Sequence, residues 1–490
     1  MTGRVEVAVL GAGFGGLAIA HRLARAGIDD VAIFERYDGV GGTWRVNSYP
    51  GAACDVPSHL YSLSFAPNPH WSRAYATQPE ILSYVEDCYD RFDVRRKVRP
   101  HTEIVAAAWS EADACWRLRD RRGGGYEAPV VVSAIGMFTT PWIPAITGLD
   151  DFGGTVFHSA RWDHDHDLTG RRVAVVGTGA SAIQIVPAIV DAAAHVDLYQ
   201  RSAPWIVPRK DPPYSAEQRR TFATDPEEAA RHRQGLHDMF EQTTAFFTGD
   251  PSVETIAAVA RGYLERKVAD PGLRARLTPH QPFGCKRTLV SSDYYPAVQR
   301  DDVELVTAAI DRVTPTGIRT ADGVERPVDT IVLCTGFRAS EYLHGIDVVG
   351  RHGTSLQDHW AGVPRAYHGM AVPGFPNFFM LYGPNTNQGG NSILLILEAQ
   401  AQFVASALAA LRVTGAASIE VSAEAMARYG RELERDLAKT VWAGGCDSYF
   451  HNAAGDIVTQ LPRTAGWYRE ATQEIDRGDF VFEGVSCTTS

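Results

Sequence analysis

The chain has 490 residues, too many for a single hydrophobic core, and its 45% hydrophobic and 21% charged composition is that of a globular protein. A balance of 58 acids against 47 bases, a formal charge of −11, opposes nonspecific attraction to nucleic acid or an anionic membrane surface. The seven cysteines, at 54, 88, 115, 285, 334, 446 and 487, contain no C-x-x-C pair, so they predict neither a disulfide framework nor a metal site and favour reduced thiols in the cytoplasm. Met1-Thr2-Gly3-Arg4 runs straight into strand pattern, with no signal peptide expected, and no uncharged apolar span of membrane length is seen.

Residues 7–10 are an apolar run of strand type ending in Gly11-Ala12-Gly13-Phe14-Gly15-Gly16, and 17–26 follow a helical pattern. Glycines at 11, 13 and 16 suit a tight turn, close approach of backbone to a pyrophosphate, and close packing of helix on strand. The next strand, 31–34, ends at Glu35, nineteen residues after Gly16. A carboxylate there accepts hydrogen bonds from a ribose 2′-hydroxyl, which completes a dinucleotide fingerprint. Residues 41–55 hold Gly42-Thr43-Trp44, Tyr49-Pro50-Gly51 and Asp55, too much glycine and proline for a long helix. Two large aromatics and an acid on a loop beside a nucleotide point to a site rather than to core.

A helix over 78–92 and strands over 103–109, 114–120 and 129–135 come next, with Gly123-Gly124-Gly125 as a hairpin turn. Pro141, Pro144 and Gly148 suggest a domain crossing. The stretch from Asp151 to Asp163, containing Gly154, His158 and Trp162, then leads into a strand at 172–176. Its turn, Gly177-Thr178-Gly179-Ala180-Ser181-Ala182, is a second fingerprint of G-x-G-x-x-A type. The following strand ends at Gln200-Arg201-Ser202, with Arg201 nineteen residues after Ala182, the offset of Glu35 from Gly16. Where the first unit places an acid, the second places a base, and arginine suits a 2′-phosphate through charge-assisted hydrogen bonds. The two units ask for different dinucleotides, one like FAD or NAD and the other NADPH.

Residues 215–222, 226–246 and 252–269 read as helices, broken at Asp250-Pro251 and Asp270-Pro271. This all-helical insertion, about 209–282, either shapes a substrate cavity or serves packing. Strand pattern returns at 303–306 and 329–336, the latter ending in Thr335-Gly336. Residues 377–385 precede Gly389-Gly390-Asn391-Ser392, which opens a long helix over 393–412 and is a candidate to meet a flavin ring. A further helix is expected near 422–437.

Two fingerprints flanking Phe152-x-Gly154-x-x-x-His158-x-x-x-Trp162-Asp163 resemble the class B flavoprotein monooxygenases, and the Trp-Asp ending is similar to their Baeyer–Villiger branch. The loop Gly42-x-Trp44-x-x-x-x-Tyr49-Pro50-Gly51-x-x-x-Asp55 matches a second Baeyer–Villiger pattern. The resemblance implies an α/β fold with two Rossmann-like domains. FAD would sit in 1–141 with 337–490, and NADP in 142–336. It also implies that NADPH reduces the flavin, that O₂ adds to give a C4a-peroxyflavin, and that one oxygen is inserted into a ketone to give an ester or lactone. Oxidation of a sulfur or nitrogen centre with the same cofactors is the alternative. A flavin disulfide reductase is disfavoured, because no close cysteine pair is seen.

By resemblance, FAD would be held by Gly11, Gly13, Phe14, Gly15, Gly16, Glu35, Arg36, Gly42, Thr43, Trp44, Tyr49, Asp55, Tyr61 and Asn387. NADP would be held by Gly177, Thr178, Gly179, Ala180, Ser181, Ala182, Arg201, Ser202, Lys286, Thr335 and Gly336. The Lys286-Arg287 pair matches the family's catalytic segment, with Arg287 stabilising developing negative charge and Asp55 holding it in place. His158 and Trp162 are conformational in this reading. Cys446-Asp447-Ser448-Tyr449-Phe450 is similar to the family's mobile Ser-Trp-Tyr loop, with Tyr449 in place of Trp. No metal is implied.

Overall fold

The computed structural model describes residues 3–248, 250 and 252–484; Cys487 lies outside them. Val7–Leu10 is the middle strand of a five-stranded parallel sheet in the order Phe378–Met380, Val130–Ser133, Val7–Leu10, Val31–Phe34, Val98–Arg99. Its inner strands are buried on both faces, which is why they are unbroken apolar runs rather than alternations. A second parallel sheet repeats the plan, in the order Val303–Val306, His195–Tyr199, Arg172–Val176, Thr330–Leu333, Thr155–His158. Each sheet has separate apolar clusters on its two faces.

Strand-end hydrogen bonds correspond between the sheets. Gly11 N donates to Phe34 O at 2.8 Å and Gly177 N to Tyr199 O at 3.0 Å. Ala134 N donates to Leu10 O at 2.8 Å and Cys334 N to Val176 O at 2.9 Å. Both glycine turns therefore leave the C-terminal edge of a parallel sheet, where such folds bind nucleotides. The chain passes between the sheets twice and the passes touch, with Pro141 bridging Phe337 and Trp142 N donating to Gly336 O at 2.8 Å.

Ile393–Thr414 is the one helix among the described residues long and apolar enough to cross a membrane by length and composition. It is a core element, packed on Phe14–Arg25 and Ala465–Ala471. A mixed sheet of Gly3–Arg4, Gly125–Ala128, Cys115–Asp120, Ile104–Ser110 and Asp347–Val349, antiparallel in its three middle strands and parallel at both edges, carries the hairpin expected at Gly123.

Ile206–Val207 and Leu289–Val290 pair with each other, and the chain between them is helical at Ala216–Thr224, Pro226–Gln242, Ser252–Lys267 and Pro271–Arg276. Asp225 and Asp270 cap the helices that follow them, so Asp270-Pro271 starts a helix as well as ending one. The meander of Ile310–Thr314, Gly317–Thr320 and Glu325–Pro327 gave no strand signal in the sequence.

Cysteine use requires a correction. Cys285 and Cys446, 161 residues apart, form a disulfide with Cα atoms 5.3 Å apart. Sequence spacing carries no information on a pair that only tertiary structure brings together. Cys54, Cys88, Cys115 and Cys334 are free and buried.

Candidate active site between the two sheets

One continuous cavity of about 1170 Å³ runs between the sheets, with a glycine turn at each end. At the first end it is lined by Gly11, Gly13, Phe14 and Gly15, with Glu35 and Arg36 beside them. Gly16 instead faces the turn, where a Cβ would stand 2.2 Å from Gly11 O. Glu35 is buried, and its carboxylate accepts from Ala12 N at 2.8 Å and Tyr37 N at 2.9 Å. These bonds fix the acid at the turn and leave lone pairs for a ribose. The Phe14–Arg25 helix has Gly13 at its N-cap, with no side-chain cap and no acid in its first turn. Its terminal N–H groups are thus free of side-chain competition for a phosphate.

The Gly42–Asp55 loop crosses from this end to the second sheet. Gly42 has φ +53°, and a Cβ there would lie 2.9 Å from Gly13 Cα. Thr43–Val46 forms a single helical turn, and Trp44 Nε1 donates to Tyr61 OH at 3.0 Å. Tyr49 OH donates to Gln184 Oε1 at 3.1 Å, and Gln184 Nε2 donates to Ala53 O at 2.9 Å, so the loop is tied to the Ala182–Ile189 helix. Burial pushes the Tyr49 hydroxyl up to about 12, which keeps it a donor.

At the second end the cavity is lined by Gly177, Thr178, Gly179, Ala180 and Ser181, while Ala182 is buried in the helix start. A Cβ on Gly177 would meet Cys334 O at 2.5 Å, whereas one on Gly179 would meet nothing within 4 Å. The first glycine therefore serves the fold, and the second leaves room for a ligand. The Ala182–Ile189 helix also lacks a side-chain cap and a first-turn acid. Arg201 is 78% exposed and lies 3.5 Å from Asp447. Lys286 Nζ donates to Ser202 Oγ at 2.9 Å. Burial, then the charge of Arg201, lowers the Lys286 ammonium from its ordinary value. Two like charges on the wall of a cavity also lined by Thr335 and Gly336 suit an anion.

Arg287 lines the cavity between these ends. Its Nε donates to Asp55 Oδ2 at 2.7 Å and its Nη2 to Asp55 Oδ1 at 2.8 Å. Burial alone raises the Asp55 carboxyl, but the Arg287 charge and both hydrogen bonds outweigh it and hold Asp55 below the ordinary carboxylate range. In return the Asp55 carboxylate, outweighing burial, pushes the Arg287 guanidinium further up. Tyr382, Asn387 and Tyr449 share this part of the cavity, with Tyr382 OH donating to Asn387 Oδ1 at 2.7 Å. Burial raises the Tyr382 hydroxyl well above its ordinary value.

His158 and Trp162 do not line the cavity. His158 Nδ1 accepts from Ala160 N at 3.1 Å, its ring meets Phe337 at 5.7 Å, and burial lowers it to about 4. Trp162 packs edge-on against Phe157. The Gly389-Gly390 turn was expected to meet the ligand, but its glycines are covered by the helical segment, where Thr243 Oγ1 donates to Gly390 O at 2.8 Å. Asn387, Gln388 and Asn391 beside the turn line the cavity, as do Ile393, Leu394 and Leu397 at the start of the helix it opens. Sequence reasoning gave no role to Tyr382 or Gln184, and it placed Asp447 in the C-terminal loop without assigning it a contact. Tyr382 left a signal, as the end of an apolar run entering Gly383-Pro384.

The sequence profile of the pyridine nucleotide-disulphide oxidoreductase family matches residues 8–221. A Baeyer-Villiger monooxygenase of Pseudomonas aeruginosa is 44% identical over 474 residues, covering 96% of this chain and 90% of its own. One of Streptomyces coelicolor is 41% identical over 97% of this chain and 92% of its own. The chain belongs to the Baeyer–Villiger monooxygenase family. An oxidised steroid monooxygenase bound to NADP superposes on this monooxygenase with a TM-score of 0.88 at 34% identity, covering 99% of this chain and 100% of that one. A closed cyclohexanone monooxygenase does so with a TM-score of 0.89 at 29% identity, covering 99% and 100%. In this family setting the Cys285–Cys446 bond is not a reductase centre, since neither sulfur lines the cavity.

Proposed function

We propose that this monooxygenase uses FAD, NADPH and O₂ to convert a ketone into an ester or lactone, with the Arg287–Asp55 pair as the group that carries the reading. FAD is assigned to the turn at Gly11–Gly16 and NADPH to the turn at 177–182. Glu35 at one end and Arg201 with Lys286 at the other give the electrostatic signs that a free 2′-hydroxyl and a 2′-phosphate require. The domain division follows from this assignment, with 1–141 and 337–490 around the first sheet and 142–336 around the second. Bound FAD, reduced by NADPH, supplies the electrons that allow one atom of O₂ to be transferred while the other leaves as water.

The chain's own part is electrostatic and positional. Asp55 engages Nε and Nη2 of Arg287, so Nη1 is the donor directed to negative charge on the reacting oxygen. A guanidinium keeps its charge at every working pH, and the bidentate clamp fixes its plane. Tyr382 and Tyr449 wall the same space. The family pattern and the paired arginine favour attack on a carbonyl over oxygen transfer to a soft nucleophile. The FAD-loaded enzyme with NADPH should turn at least one member of a broad ketone panel into an ester, seen by mass spectrometry. Oxidation of sulfides or amines with no ester from any ketone would overturn the assignment. The cytoplasmic placement rested partly on reduced cysteines, and the Cys285–Cys446 bond withdraws that support.

A further inference from the structure

Neither sulfur of the disulfide takes part in the chemistry above, and both are shielded: Cys285 is 2% exposed and Cys446 7%. Yet the bond joins the two segments on which that chemistry depends. Cys285 lies two residues before Arg287, and Cys446 opens the Asp447-Ser448-Tyr449 stretch that lines the cavity. Noncovalent support for this seam includes Trp442 Nε1 donating to Gly284 O at 3.0 Å and Phe247 stacked on Trp442 at 5.4 Å. Beyond the bond, Asp447 reaches Arg201 at 3.5 Å, a pair whose side chains are 75% and 78% exposed. Such an exposed pair holds little in place. Tyr449 also meets the rings of Phe138 at 6.1 Å and Phe450 at 4.6 Å, and the covalent link adds to these a constraint stronger than any single one of them, because it removes chain freedom that weak contacts leave.

Building on the monooxygenase reading, we propose that Cys285 and Cys446 are positioning residues whose bond is a redox-cleavable strap. Oxidised, it registers the Tyr449 segment over the cavity against Arg287. Reduced, it lets that segment drift, so that electrons from NADPH are diverted from the organic substrate to hydrogen peroxide. Cleavage by a dithiol breaks the Sγ–Sγ bond and forms two thiols, while the dithiol loses two electrons and two protons and becomes a cyclic disulfide. Closure by hydrogen peroxide takes two electrons and both thiol protons and yields two waters. Peroxide lost from a poorly closed site is thus a reagent that restores closure.

The test uses FAD-loaded enzyme in three forms: as isolated without reductant, reduced with dithiothreitol and desalted without air, and reduced then treated with hydrogen peroxide. Peptide mapping should find the 285–446 cross-link in the first and third forms only, and limited proteolysis should cut 441–450 faster in the second. In the reduced form, ester formed per NADPH consumed should fall by roughly threefold or more, because small displacements over a reacting centre are costly. Flavin bleaching by saturating NADPH should change less than about twofold, because hydride delivery does not need that segment closed. Cys285→Ser and Cys446→Ser should behave as the reduced form and ignore both reagents. Free thiols in every form, or equal coupling with and without the cross-link, would overturn the strap. A cross-link that alters proteolysis in an enzyme that makes no ester from any ketone would leave the strap standing and remove the ketone reading instead.

Discussion

A guanidinium gripped by both oxygens of one carboxylate loses rotational freedom without losing its charge. Arg287 is in that position over a cavity it shares with Tyr382, Asn387 and Tyr449, and its partner Asp55 comes from a segment 232 residues away. The Arg287→Ala enzyme should still bind both coenzymes and still bleach on NADPH, while ester formation falls by roughly a hundredfold or more, the loss expected for a donor to developing negative charge. Stopped-flow spectra with product analysis check this, and ordinary ester formation would remove Arg287 from the chemistry. Arg201 acts on binding rather than on chemistry. With its side chain 78% exposed and paired with Asp447, Arg201→Ala should raise KM for NADPH by roughly tenfold and leave KM for NADH nearly unchanged. Equal effects on the two coenzymes would mean that it does not read the 2′-phosphate.

The two strand–turn–helix units share a pattern but divide the labour of their glycines differently. At Gly16 a methyl group would stand 2.2 Å from Gly11 O and 3.1 Å from Tyr89 OH, so the helix would have to move off its strand. Gly16→Ala should lose about 2 kcal/mol or more of stability and purify with less flavin, as overpacking against backbone demands. Gly179 has nothing within 4 Å of an added Cβ. Gly179→Ala should therefore melt within a degree or two of the parent, yet bind NADPH more weakly because the methyl occupies the coenzyme's space. Thermal melts paired with KM for NADPH distinguish the two outcomes. A stable Gly16→Ala, or an unimpaired Gly179→Ala, would contradict the assignment of that glycine.

Across the whole molecule, acid should unfold this enzyme earlier than its carboxylates alone would dictate. His59, His158 and His368 are buried at 5%, 3% and 8% exposure, and burial lowers each from 6.5 to about 4. Each base is neutral in the folded chain and protonates first in the unfolded one. The stability they permit is complete above pH 6.5 and is lost as pH falls through about 4. Melting temperature should drop across that window, and His368→Gln should make the drop shallower. An identical slope in the variant would place the titration elsewhere. Asp55 works in the same direction at lower pH, since its depressed carboxyl releases its contribution only below the ordinary 3.8.

What could be known before folding was the local chemistry: which strands are buried on both faces, where the chain must turn, and which sign of charge follows each turn at an equal offset. Those features are fixed by residue type at short range, so Gly11–Gly16, Glu35, the turn at 177–182 and Arg201 were legible as they stand. The loop at 42–55 and the Lys286-Arg287 pair were legible only through their likeness to a family, because nothing in either segment by itself says that they meet. Tertiary structure alone decided that Asp55 grips Arg287 and that Gln184 ties the loop of one sheet to the helix of the other. It also joined Cys285 to Cys446 across 161 residues and shut the Gly389-Gly390 turn beneath a helical segment. Each of these is a contact between parts of the chain that no periodicity relates, brought together by burial of surfaces whose partners the local sequence does not name.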